Sequence, residues 1–210
     1  VRSDVRGQHG IVGNTLIIGT TAGAAHSTDG GATFRVYGPP NITGLNAAAT
    51  VCESVSFYDG NTTGSRFVMA FNNGIAFPAQ GAAVLTINGG TSFTIFNAGS
   101  GTTGLTNFND NVRGVAFYSG DTTGNRFLIG SYGPTTFFAS GGVYRTADGG
   151  STFTRFSNIS APVLPTGNGV RAVAYFHGDT TGQTWLVGGD TLGFGAGNGG
   201  AARTVNDGGA

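Results

Sequence analysis

The chain has 210 residues with ten arginines, no lysine, ten acidic residues and a net charge of zero. Only 10% of its residues are charged, against about 25% in an average soluble domain, which excludes the basic surface of a nucleic-acid binder and the polybasic patch of a lipid-bound protein. Apolar runs as short as "FLIG" and "TLIIG" exclude a membrane-spanning helix, and one cysteine, Cys52, excludes an internal disulfide and reads as a small buried residue.

The chain opens on "VRSDVRGQHG" (1–10), which has no apolar segment of signal-peptide type, as expected if a leader has been removed or the chain is a piece of something longer. A short strand–turn–strand, "GQHGIVGNTLIIGT" (7–20), follows, and "STDGGATF" (27–34) closes the first unit. The second unit runs through "SVSFYDGNTTGSRFVMAF" (54–71) to "TINGGTSF" (86–93). In the third, "VRGVAFY" (112–118) alternates Val115 and Phe117 with small neighbours, as a half-buried strand does. The turn "SGDTTG" (119–124) then leads into "NRFLIGSY" (125–132), whose continuous apolar run suits burial on both faces. "TADGGSTF" (146–153) closes that unit, and the fourth repeats the pattern from "AVAYFHGDTTGQTWLVGG" (172–189) into "TVNDGGA" (204–210).

The third residue of each closing turn is Asp29, Asn88, Asp148 or Asn206, at steps of 59, 60 and 58 residues. No window carries a helical period, and glycine recurs too often for helices. Four short strands per unit at this period read as the blades of an all-β propeller, since one blade alone cannot bury both of its faces. The expected architecture is a single β-propeller domain or segment, 1–210, with four-stranded antiparallel blades at approximately 5–38, 51–97, 112–157 and 170–210. The last blade is incomplete, so about four blades are seen, and closure needs further blades from a longer chain or another copy.

The closing turns match S/T-x-D-x-G-x-T-F/W, and on these residues the chain resembles the Asp-box (BNR-repeat) β-propellers, among them sialidases, xyloglucanase-type glycoside hydrolases, sortilin-type receptors and non-catalytic modules. The resemblance spans nearly the whole chain. It implies the fold but no particular activity. The box residues Asp29, Asn88, Asp148 and Asn206 are expected to accept backbone N–H bonds across their own turns. The paired glycines allow positive φ, and Phe34 and Phe153 tuck into the blade interface.

Naming the strands of a blade A to D from the axis outward, antiparallel parity puts the A–B turns and the boxes on one face. The B–C loops and D–A crossovers lie on the other, where propellers bind ligands. The B–C loops 72–81, 133–142 and 190–200 bring Phe77, Phe137, Phe138 and Phe194 to that face. The starts of the A strands bring Arg6, Arg113 and Arg171, with Glu53, the only glutamate, at the aligned place in the second unit. Arginines there either hold a carboxylate or sugar bidentately, with phenylalanines as stacking platforms, or pair with neighbouring carbonyls and carboxylates and lock adjacent blades.

Catalysis has weak candidates. A glycosidase needs two carboxyl groups about 5–9.5 Å apart, and Glu53, Asp110 and Asp190 are the residues that could contribute them. A sialidase, as the resemblance implies, needs an Arg-Ile-Pro opening and a Tyr–Glu pair, and "VRG" with one glutamate departs from that pattern. His9, His26 and His177 have no metal-ligand spacing, so no metal and no cofactor are expected. Asn41, Asn61 and Asn158 begin glycosylation-type triplets in loops. The reading is an extracellular or surface-associated, non-catalytic module that binds glycan or protein or builds a surface assembly. Its partners include further copies of itself or the rest of a longer chain, with no nucleic acid and no membrane insertion. The alternative is a fragment of a xyloglucanase-like glycoside hydrolase.

Overall fold

A computed structural model describes residues 11–72, 81–105, 111–132, 142–156, 169–176, 178–190 and 200–205. It is an all-β propeller of four antiparallel sheets in chain order. The first sheet pairs β1 (Ile11–Val12), β2 (Thr15–Thr20), β3 (Gly23–Ser27) and β4 (Arg35–Tyr37). The second pairs β5 (Val51–Phe57), β6 (Phe67–Asn72), β7 (Ala82–Thr86) and β8 (Thr94–Phe96). The third pairs β9 (Val112–Phe117), β10 (Phe127–Ser131), β11 (Gly142–Thr146) and β12 (Thr154–Phe156). The fourth pairs β13 (Gly169–Tyr175), β14 (Trp185–Asp190) and β15 (Gly200–Thr204). Each sheet is a meander, and the three outer strands have three residues each, which leaves little exposed edge to template pairing with another chain.

The core lies between blades rather than within one. Every residue of β6 is buried because its alternate side chains face opposite neighbours. Phe67, Met69 and Phe71 join Ile17, Tyr37 and Phe57 between blades one and two. Val68 and Ala70 join Val115, Phe117 and Phe127 between blades two and three. Leu128, Val173, Tyr175 and Trp185 fill the joint between blades three and four. Inner strands also meet through polar atoms. β9 has β10 as its ladder neighbour, and the N–H groups of Val115 and Phe117 donate to the Ser54 and Ser56 hydroxyls of β5, at 3.3 and 3.1 Å.

The box turns form with the expected bonds. Asp29 accepts from the Thr33 N–H at 2.9 Å and the Thr33 hydroxyl at 2.6 Å, while the Ser27 hydroxyl takes the Gly31 N–H at 2.8 Å. Asp148, Thr152, Thr146 and Gly150 repeat that set. At Asn88 the carboxamide oxygen still accepts from Ser92 N–H, and its NH₂ donates to the Ser92 hydroxyl, so the turn closes without a charge. The second glycine of the box has a further use. Gly150 has φ +95°, and a Cβ there would overlap the buried Phe96 ring of the preceding blade, 2.6 Å from its Cε1. At Gly90 a Cβ would likewise run into Tyr37, whose hydroxyl donates to the Gly89 carbonyl at 2.9 Å. The second and third boxes are thus sockets for an aromatic side chain from the outer strand of the blade before, with the box phenylalanine as one wall. Tyr37 meets Phe93, and Phe96 meets Phe153, edge-on at 5.2 Å in both cases.

The first socket differs from the expectation. Phe153 is 6% exposed, but Phe34 is 47% exposed, because among the described residues no outer-strand aromatic lies against Gly30 and Gly31. At the other end, Phe176, Leu186 and Val205 are exposed on the outward side of blade four.

Candidate functional site at the inner-strand bulges

β5, β9 and β13 each break register at one residue. The pairing skips between Cys52 and Ser54, between Val112 and Gly114, and between Val170 and Ala172. The residues left over are Glu53, Arg113 and Arg171, the three that the repeat aligns. A bulge turns its extra side chain out of the normal alternation. Glycines of the preceding blade lie against the residue before two of the bulges: a Cβ on Gly19 would crowd the Cys52 carbonyl, 3.3 Å from its carbon, and one on Gly130 would lie 2.6 Å from Val170 Cγ1.

The structure brings Glu53 and Arg113 together across the joint between blades two and three. Arg113 Nη1 donates to Glu53 Oε1 at 2.8 Å, and its Nε donates to Asn111 Oδ1 at 2.9 Å. Arg113 is 7% exposed and Glu53 24%. Tyr132, the residue after β10, packs against both arginines, with its ring centroid 5.5 Å from Arg113 Cζ and 5.0 Å from Arg171 Cζ. Gly169 lets the ring sit there, since a Cβ at that position would overlap it. One blade earlier the same place is held by buried Asn72, which donates to the Val112 carbonyl at 3.2 Å. The site therefore holds two guanidinium groups, one carboxylate, two carboxamides and one phenol ring. That set suits planar, hydrogen-bonding ligands with negative or polar oxygen atoms.

Asn72, Asn111 and Tyr132 were not among the residues expected from sequence. The signal for two of them is positional: Asn72 and Tyr132 hold the same place in the repeat, five residues after the phenylalanine that starts each B strand. Asp190 occupies the matching end of β14, opposite Gly169 in register. Arg6, Phe77, Phe137, Phe138, Phe194, Asp110 and Asn206 lie outside the described residues.

The other described carboxylates are engaged at the opposite face, apart from Asp59 in the second A–B turn. Asp121 and Asp179 close the A–B turns of blades three and four by accepting from Thr123 and Thr181. Hydrogen bonds from Thr33 hold Asp29 down at about 2. For Asp179, slight burial opposes ionisation, but bonds from Thr181 and Thr184 outweigh it and bring it to about 2 as well. Cys52 is buried, which pushes its thiol up to about 12 and makes it inert. Among the described residues no three His, Cys, Asp or Glu side chains are grouped to hold a metal ion, and no helix is long and apolar enough to cross a membrane.

No protein-family model matches this chain, and no curated protein does. Solved structures do. The GH74 xyloglucanase of Xanthomonas campestris is 18% identical with a TM-score of 0.57, over 94% of this chain and 27% of the enzyme. YCF48 bound to D1 peptide gives 14% identity and a TM-score of 0.47, over 91% of this chain and 50% of that one. YCF48 from Cyanidioschyzon merolae gives 11% and 0.42, over 90% and 68%. This chain spans about a quarter of the xyloglucanase's length, and at that identity the likeness is one of fold: a β-propeller.

Proposed function

We propose that the chain is a non-catalytic propeller module of the Asp-box type, extracellular or surface-associated, that works by binding glycan or protein at the inner-strand bulges and by assembly through its open blade faces. The observation that supports binding over hydrolysis is the state of Glu53. Among the described side chains it is the one carboxylate at that end, and it is already paired with Arg113. A hydrolytic pair would need a second carboxyl group about 5–9.5 Å from it. The exposed socket at Gly30, Gly31 and Phe34 supports closure against a further blade, of another copy or of a longer chain, because its counterparts in blades two and three are filled by an aromatic side chain.

The test pairs a glycan and peptide binding panel with an assay for sugar release from xyloglucan. Arg171→Ala, Phe138→Ala and Phe194→Ala are expected to weaken binding at least tenfold, while Glu53→Gln leaves any sugar release unchanged. Sugar release that disappears in Glu53→Gln would instead establish the glycoside hydrolase alternative.

A further inference from the structure

We propose that the contact between the first two blades is an acid-sensitive joint, closed while His26 is neutral and released when its Nε2 takes up a proton. His26 stands on β3 and is 4% exposed. Its ring packs on Phe67 of β6 at 4.9 Å, Tyr37 of β4 at 5.7 Å and Phe57 of β5 at 6.4 Å between centroids. The bonding fixes the tautomer. Tyr37 Oη spends its one proton on the Gly89 carbonyl, so in its 3.1 Å contact with His26 Nδ1 the hydroxyl accepts and Nδ1 carries the hydrogen. Nε2 is then the lone-pair nitrogen. It is buried with no hydrogen-bond partner, which a neutral ring tolerates and an N–H⁺ does not.

The groups packed around the ring offer a proton no compensation. β4 contributes Tyr37 and, opposite His26 in register, Arg35, whose charge repels a second one. β2 contributes Ile17, β5 and β6 contribute Phe57 and Phe67, and the Gly89 carbonyl is taken. Burial first, then Arg35, holds the pKa of His26 below its ordinary 6.5. The closed joint therefore takes up fewer protons than the open one below pH 6.5, and its stability falls as pH falls.

Among the described residues this joint also lacks the tyrosine and arginine that fasten the other two. Between blades two and three, Tyr58 donates to the Asp121 carbonyl and Arg66 reaches Thr123 and Asn125. Between three and four, Tyr118 donates to the Asp179 carbonyl at 2.7 Å and Arg126 to Thr181 at 2.8 Å. Blade one has Thr15 in the place of those arginines, at 3.5 Å from the Thr63 carbonyl. The residues matching His26 in blades two and three are Leu85 and Arg145.

Hydrogen exchange of the full chain at pH 7 and pH 5, corrected for intrinsic rates, tests the joint. The opening constant of amides in β3 and β4 should rise by up to about 25-fold, the ceiling set by protonating a group of ordinary pKa 6.5 only in the open form, with β9 and β10 unchanged. His26→Leu should make β3 and β4 indifferent to pH. An unchanged opening constant in the native chain, or the same rise in His26→Leu, overturns the proposal. Should His26→Leu fail to fold, proton NMR of the native His26 ring decides: titration near 6.5 with β3 still protected overturns it, and titration only as β3 opens supports it.

Discussion

Replacing Gly150 by alanine isolates the contact that joins one blade to the next. Gly31 and Gly150 hold the same place in their boxes and the same φ of +95°. In either, alanine costs about 1–2 kcal/mol for the left-handed backbone. The surroundings differ. A Cβ at Gly31 would meet Leu16 Cδ2 at 3.5 Å, an ordinary contact, whereas at Gly150 it would overlap the Phe96 ring. Phe96 is fully buried against Phe127 and Phe153, so it has nowhere to move, and forcing extra volume into such a core costs about 1–3 kcal/mol more. Gly150→Ala should therefore lose about 2–5 kcal/mol and Gly31→Ala about 1–2, the difference being the joint. Thermal and urea unfolding, followed by the fluorescence of buried Trp185, measure both, at about 2–4 °C of Tm per kcal/mol in a chain of this size. In a Phe96→Ala background the cost of Gly150→Ala should fall to that of Gly31→Ala. Equal losses for the two alanines in the native background would refute the socket.

Two further outcomes follow from the turns. Tyr118→Phe, which gives blade three the Phe176 of blade four, should cost about 1 kcal/mol for the lost bond to the Asp179 carbonyl, with exchange rising first in β13 and β14. Asp29 and Asp179 ionise at about 2 against an ordinary 3.8. The stability they contribute is complete above pH 4 and is lost as pH falls from there toward 2. Asp29→Asn should remove box one's share of that loss, because Asn88 shows that a carboxamide closes the same turn; acid unfolding curves of the two proteins compare them.

What the sequence alone determined is everything carried by short-range bonding. The 58–60-residue step of the boxes, the carboxylates folded back on their own turns and the two-faced strands all follow from residues within a few positions of one another, so period and pattern report them. The aligned Arg113, Arg171 and Glu53 were legible too, as repeats of one position. Tertiary structure decided what those residues meet. The bulges that expel them, the Arg113–Glu53 pair across a joint, Tyr132 against two guanidinium groups and the aromatic seated in the next blade's box all join residues of neighbouring blades. Periodicity describes each blade's own chain. Which atoms touch across a joint depends on register, on one extra residue in a strand, and on where a missing Cβ lets two backbones close up.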